Sequence, residues 1–130
     1  MFGKKKATLI ESRRSVQVAG TSYRQKALRK IAGKKTEDGF DLPVTAALVP
    51  EPSNEHDRNA VSVQIDGALV GYLPRDLAAE AQPDLIEFRK RTRRHVAVNG
   101  RIVGGWKRGR KDEGDYGVRV YFDVTALNQT

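Results

Sequence analysis

The stretch Asn59-Ala60-Val61-Ser62-Val63-Gln64-Ile65-Asp66-Gly67-Ala68-Leu69-Val70-Gly71-Tyr72-Leu73 decides the fold class. Over residues 59–65, Val61, Val63 and Ile65 share one face, and Ser62 and Gln64 share the other. A period of two with one apolar face is a half-buried β-strand. Asp66-Gly67 is a two-residue hairpin signal, because the favoured turn needs positive φ at both central residues. Residues 68–73 are then the antiparallel return strand.

Further strands and helices flank this hairpin. Residues 16–19 alternate and end at Gly20. Over residues 23–32, Ala27, Leu28 and Ile31 recur at helical spacing, Arg24, Lys26, Arg29 and Lys30 cover the polar side, and Gly33 sits as the C-terminal cap. Residues 43–49 read as a strand closed by Pro50 and Pro52, which deny a ladder its donors. Pro74 suits the start of a helix, where its missing N–H costs nothing. Leu77, Ala78 and Ala81 give that helix an apolar face, and Pro83 is expected to break or restart it before Leu85, Ile86 and Phe88. A strand over 95–103 is expected to bulge or bend at Asn99-Gly100. A last strand over 117–124 alternates through Val118, Val120, Phe122 and Val124. Between these two lies a Gly-rich, charged loop, 104–115, that carries Trp106. Residues 1–14 read as a flexible basic tail and 15–127 as a single domain. The order β, α, β, β, β, α, β, β leaves little room for crossovers. It predicts a mainly β fold with short helices: a small antiparallel barrel of about six strands plus one or two helices.

The 130 residues include 24 Lys and Arg against 16 Asp and Glu, for a net charge of +8 and a pI near 10.0. The chain has no cysteine, which excludes disulfides and thiolate chemistry and argues against a structural zinc site. No apolar run approaches the ~20 residues of a membrane span. The start, Met1-Phe2-Gly3-Lys4-Lys5-Lys6, lacks the apolar stretch of a secretory signal. The expectation is a soluble basic protein of the cytoplasm, nucleoid-associated if bacterial, with an anionic partner. The charge is segregated: residues 1–35 hold eleven basic residues and one acid, 36–87 two and eleven, and 88–130 eleven and four. Two dense basic runs, 89–94 and 107–111, repel themselves unless solvated or bound to an anion.

Catalytic signatures are missing. The sequence has no phosphate-binding Gly-Lys-Ser/Thr loop, no His-Glu-x-x-His and no Gly-x-Ser-x-Gly. The two histidines, His56 and His95, are far apart in sequence. Asp57 reads in two ways. It is a candidate general base beside His56. The stronger reading is that, with Asn54 and Asn59, it is one of several short polar side chains that bond nearby backbone and shape a turn. Tyr23 beside Arg24, Tyr72 ahead of Arg75, and Trp106 beside Lys107 and Arg108 place aromatic rings next to cations. That composition serves single-stranded nucleic acid, where rings stack on bases at ~1–3 kcal/mol each and cations take the phosphates. It also serves ordinary packing at strand ends, and Trp106 reads equally as a contact arm or a packed lid.

Three blocks together resemble the HIRAN domain, a module found in some fork-remodelling helicases and as free-standing bacterial and phage proteins. The first is Val18-Ala19-Gly20-Thr21-Ser22-Tyr23. The second and most specific runs from Leu48 through Glu51-Pro52-Ser53-Asn54-Glu55-His56-Asp57-Arg58-Asn59-Ala60-Val61 to Val63. The third is Val70-Gly71-Tyr72-Leu73-Pro74-Arg75. The likeness covers roughly residues 16–125 and is closest to the free-standing bacterial and phage type.

The resemblance implies an OB-like barrel, no enzymatic activity and no cofactor. It implies a grip on the 3′ end of single-stranded DNA in replication and repair. By position, Tyr23 stacks on a terminal base, Asp57 accepts a hydrogen bond from the 3′-hydroxyl, Asn54 orients that end, Arg75 meets a phosphate and Tyr72 lines the pocket. Arg24 and His56 stand where helicase members carry aromatics, and Arg24 can stack through its guanidinium plane. Trp106, Lys107 and Arg108 complete the expected nucleic-acid-binding set. The alternative reading is an adaptor that recruits a helicase or nuclease through the acidic middle segment, without touching DNA.

Overall fold

The computed structural model describes residues 6–129. Nine strands, two α-helices and two 3₁₀ turns follow one another: β1 (Ala7–Leu9), β2 (Ser15–Gln17), a 3₁₀ turn (Thr21–Tyr23), α1 (Gln25–Ala32), β3 (Phe40–Pro50), β4 (Val61–Ile65), β5 (Ala68–Tyr72), α2 (Arg75–Thr92), β6 (His95–Gly104), β7 (Lys107–Gly109), β8 (Asp112–Glu113), β9 (Tyr116–Tyr121) and a closing 3₁₀ turn (Val124–Gln129). Six strands form an antiparallel sheet in the order β2-β9-β6-β3-β4-β5, while β1 adds to β6 in parallel and β7-β8 is a separate hairpin. The fold is mainly β and OB-like.

The central hairpin forms as its sequence dictates. Asp66 and Gly67 take φ of 52° and 79°, the two positive values that the turn requires. Val61, Val63 and Ile65 are buried. β3 holds the sheet together, pairing with β6 over Phe40 to Leu48 and with β4 over Ala47 to Pro50. The two outermost strands then meet: just past β2, Ala19 exchanges both backbone hydrogen bonds with Tyr72 of β5, at 2.8 and 2.9 Å. This seam needs Gly71. A Cβ there would lie 2.5 Å from the Ala19 carbonyl oxygen and 2.5 Å from Val18 Cγ1.

Three expectations are corrected. Pro83 does not interrupt the second helix; α2 is continuous over Arg75–Thr92. Leu77, Ala81, Leu85 and Phe88 are buried in one helical phase across the proline, while Pro83 and Ala79, whose carbonyl loses its partner, are both exposed. Water can satisfy that carbonyl, and burial of the shared face, about 1.5–3 kcal/mol per large apolar side chain, outweighs one missing bond. Asn99-Gly100 is neither bulge nor bend, because β6 keeps an unbroken register with β3 and β9. Gly100 is a close approach instead: a Cβ would sit 2.7 Å from the Arg119 carbonyl oxygen. The irregularity lies between Val63 and Gln64. Finally, Ala7–Leu9, read as tail, pair with β6, and Ile10 is buried. Arg94 fastens this strand by donating to Thr8 Oγ1 and the Ala7 carbonyl. Residues 1–5 of the expected tail lie outside the described residues.

Candidate nucleic-acid interface

The seam opens into a concavity of about 210 Å³ lined by Asn54, His56, Asp57, Tyr72 and Arg75, with Ala19, Ala60 and Leu73 as its apolar wall. Five of the ten expected site residues therefore share one pocket. β5 supplies Tyr72, the first turn of α2 supplies Arg75, and the loop between β3 and β4 supplies the rest.

That loop is held by its own side chains. Asn54 Oδ1 accepts the backbone N–H of His56 at 2.8 Å and of Asp57 at 3.1 Å. Asn54 Nδ2 donates to Glu51 Oε1 at 2.9 Å. Asp57 Oδ1 accepts the N–H of Asn59 at 2.9 Å. The turn-shaping role expected of these short polar residues is thus their observed geometry. Asp57 Oδ2 is left facing Arg75 Nε at 3.7 Å, with the arginine side chain 81% exposed and the carboxylate 24%. At that distance, and with the arginine side chain mostly in solvent, the pair contributes little to stability, which leaves the guanidinium accessible to another anion.

Glu51, which no sequence argument singled out, is the hub of the pocket. Its Oε1 accepts from Asn54 and also from the Tyr72 hydroxyl at 3.0 Å. Burial, then the hydrogen bond to Glu51 and its charge, push the Tyr72 phenol above its ordinary value, with Arg24 pulling the other way. The phenol donates to Glu51, and the shift extends its protonated, donating form to more alkaline pH. The Glu-Pro pair at 51–52 was visible as a motif, but only the fold brings Glu51 to Tyr72, 21 positions away.

Tyr23 and Arg24 stand beside the pocket rather than in its lining. Tyr23 ends the 3₁₀ turn that follows Ala19-Gly20, and its ring is 87% exposed. Arg24 caps α1, near enough for its charge to act on Tyr72. Lys107 and Arg108 lie apart, on β7 of the β7–β8 hairpin, and Trp106 just before it is bridged to Thr36. The 104–115 segment read as a loop is this hairpin, and Trp106 is packed into it. The indole Nε1 donates to Asp112 Oδ1 at 3.1 Å, and a Cβ on Gly114 would lie 2.3 Å from the ring. The Arg108 guanidinium stands 5.8 Å from the ring centre.

Among the described residues no cluster of His, Asp or Glu could hold a metal ion, and no helix is long and apolar enough to cross a membrane. The sequence model of the HIRAN domain matches residues 13–105. Among solved structures, the crystal structure of the HIRAN domain of human HLTF is similar at 18% identity, covering 88% of this chain and 79% of that one, with a TM-score of 0.38. No curated protein matches the chain.

Proposed function

The chain belongs to the HIRAN family, and from that premise we propose that it is a non-catalytic module that holds the 3′ end of single-stranded DNA during replication or repair. One observation carries the reading: side chains scattered over residues 54–75 converge on a single pocket beside an exposed tyrosine.

The chemistry divides as end recognition requires. Asp57 Oδ2 accepts a hydrogen bond from a terminal hydroxyl, an acceptor-only role that an ionised carboxylate fills. A 3′-phosphate offers no such donor in its dianionic form and sets its charge against Asp57 and Glu51. Arg75, at the start of α2 and exposed, takes the adjacent phosphodiester. Tyr23 stacks on the terminal base, with the Arg24 guanidinium as a second planar surface. His56 borders the end, and Tyr72 forms the pocket wall. Asn54 acts through the loop, since its amide is committed to Glu51, His56 and Asp57. The flanking basic segments supply salt-sensitive attraction.

The test compares one short oligonucleotide with a 3′-hydroxyl against its 3′-phosphate form. The hydroxyl form should bind about tenfold tighter, the scale of one charge-assisted hydrogen bond. Asp57→Ala should erase the difference. Equal affinities for the two forms would sink end recognition. Absence of any DNA binding at ~50 mM salt, with a helicase or nuclease recovered instead, would favour the adaptor reading.

A further inference from the structure

A second concavity, about 470 Å³ in volume, lies between α1 and the β7–β8 hairpin. Its floor is rigid. Gln25 Nε2 donates to the carbonyls of Thr21 at 2.8 Å and Tyr116 at 2.9 Å, and Gln25 Oε1 accepts the N–H of Tyr116 at 2.8 Å. The Tyr116 hydroxyl donates to the carbonyl of Gly33. Both ends of α1 are thereby tied to the start of β9.

The walls are cationic. Lys26 and Arg29 come from α1, Lys34 and Lys35 follow it, and Lys107 faces them from β7. The two carboxylates on this surface, Glu113 and Asp115, are both engaged by Lys35, at 2.7 and 3.9 Å. None of the ion pairs among the described residues includes Lys26, Arg29, Lys34 or Lys107. Unpaired like charges around one concavity raise its potential and attract an anion. Lys26 and Arg29 stand about one turn apart on α1 and Lys34 lies just past its end, so these cations spread over the helix's rise of about 12 Å. A row of cations of that length fits a chain of phosphates better than a single one. Arg24 immediately precedes α1, and its charge acts on Tyr72 of the pocket.

We propose that this groove carries the phosphodiester backbone of the strand upstream of the held end, running from Tyr23 and Arg24 along α1 to the hairpin. The proposal rests on the end-binding reading and assigns to Lys26, Arg29, Lys34 and Lys107 an interaction with phosphate.

The experiment uses the full chain carrying K26A/R29A/K107A, with a thymidine trinucleotide and a twelve-mer that share the same 3′-hydroxyl end. The twelve-mer should bind at least about tenfold more weakly, and its log affinity against log salt should flatten by about two, at ~0.7 per single-strand phosphate contact. The trinucleotide should keep its affinity and its preference for the hydroxyl end. An equal charge loss outside the groove, K90A/R91A/R110A, removes only the general attraction of the flanks, so it should weaken the twelve-mer clearly less than the groove variant does and without a length-dependent change in salt slope of that size. Unchanged twelve-mer binding, or equal loss on both lengths, would overturn the groove while leaving the pocket intact. Length-dependent loss without any hydroxyl preference in the wild type would retain the groove as a backbone site and reject the end pocket.

Discussion

The seam pocket and the α1 groove both carry charged side chains, yet they treat charge in opposite ways. In the pocket, polar groups are largely committed to one another: Glu51 holds Asn54 and Tyr72, Asn54 holds the loop backbone, and Asp57 spends one oxygen on Asn59. In the groove, Lys26, Arg29, Lys34 and Lys107 stand outside the ion pairs among the described residues, over a fixed floor. A preorganised hydrogen-bond network reads geometry, whereas unpaired surface cations supply affinity that salt can remove. One module can therefore separate which end it accepts from how tightly it holds the chain behind it.

The largest effect should come from breaking the seam. Gly71→Val puts a side chain where even a Cβ would lie 2.5 Å from backbone. Urea unfolding should show a loss of about 2–3 kcal/mol, and end discrimination should vanish, while whatever folded protein remains keeps its salt-dependent binding. If the variant is fully stable and selective, the pocket does not depend on the seam.

Glu51→Ala should cost less, about 1–2 kcal/mol, because it strips an acceptor from two donors. It should also move the Tyr72 phenol back toward its ordinary value, since two of the three causes raising it disappear and burial alone remains. Tyrosine titration by ultraviolet absorbance reads this. The sign follows from linkage. Tyr72 has a higher pKa folded than unfolded, so its contribution is complete below the ordinary tyrosine value near ~10 and is lost as pH rises through the folded value. The stability gap between wild type and Glu51→Ala should accordingly narrow in that alkaline window. Groove binding should not change.

Lys107→Ala sharpens the other side of the contrast. It should weaken a twelve-mer about threefold and flatten its salt slope by about 0.7, with the melting temperature unchanged. The smallest effect belongs to Lys35→Ala. The hydrogen bond and charge of Lys35 hold the Glu113 carboxyl below its ordinary range, so its resonance should titrate at higher pH, which NMR can follow. If Glu113 does not move, the Lys35 pair is not formed in solution.

How much of this was legible in the residues differs from element to element. The period-two hairpin over β4 and β5, the Asp66-Gly67 turn and the Gly33 cap follow from local chemistry and appear where expected, whereas the last strand stops at Tyr121 and Val124 opens a 3₁₀ turn. Pro83 misled because the energy that keeps α2 whole comes from the surface its buried face packs against, which a local rule does not include. Gly100 misled because a glycine that permits close approach looks, in sequence, like one that permits a bend. β1 was hidden because three residues acquire strand character only when β6 offers its edge. Within the pocket, Asn54 and Asp57 were visible as turn residues. Glu51 was visible only as part of the Glu-Pro motif, and its role in the pocket is defined by Tyr72 on another strand.

The sequence by itself determined the strands, the hairpin, the segregation of charge and the short polar loop, because each depends on neighbours within a few positions. Only the tertiary structure decided that the outermost strands meet at Ala19 and Tyr72, that Glu51 joins the loop to the seam, and that cations from α1 and the distant hairpin face one groove. Those outcomes depend on long-range pairing register and on the shared burial of apolar faces, which fix where a side chain stands in space without leaving a pattern along the chain.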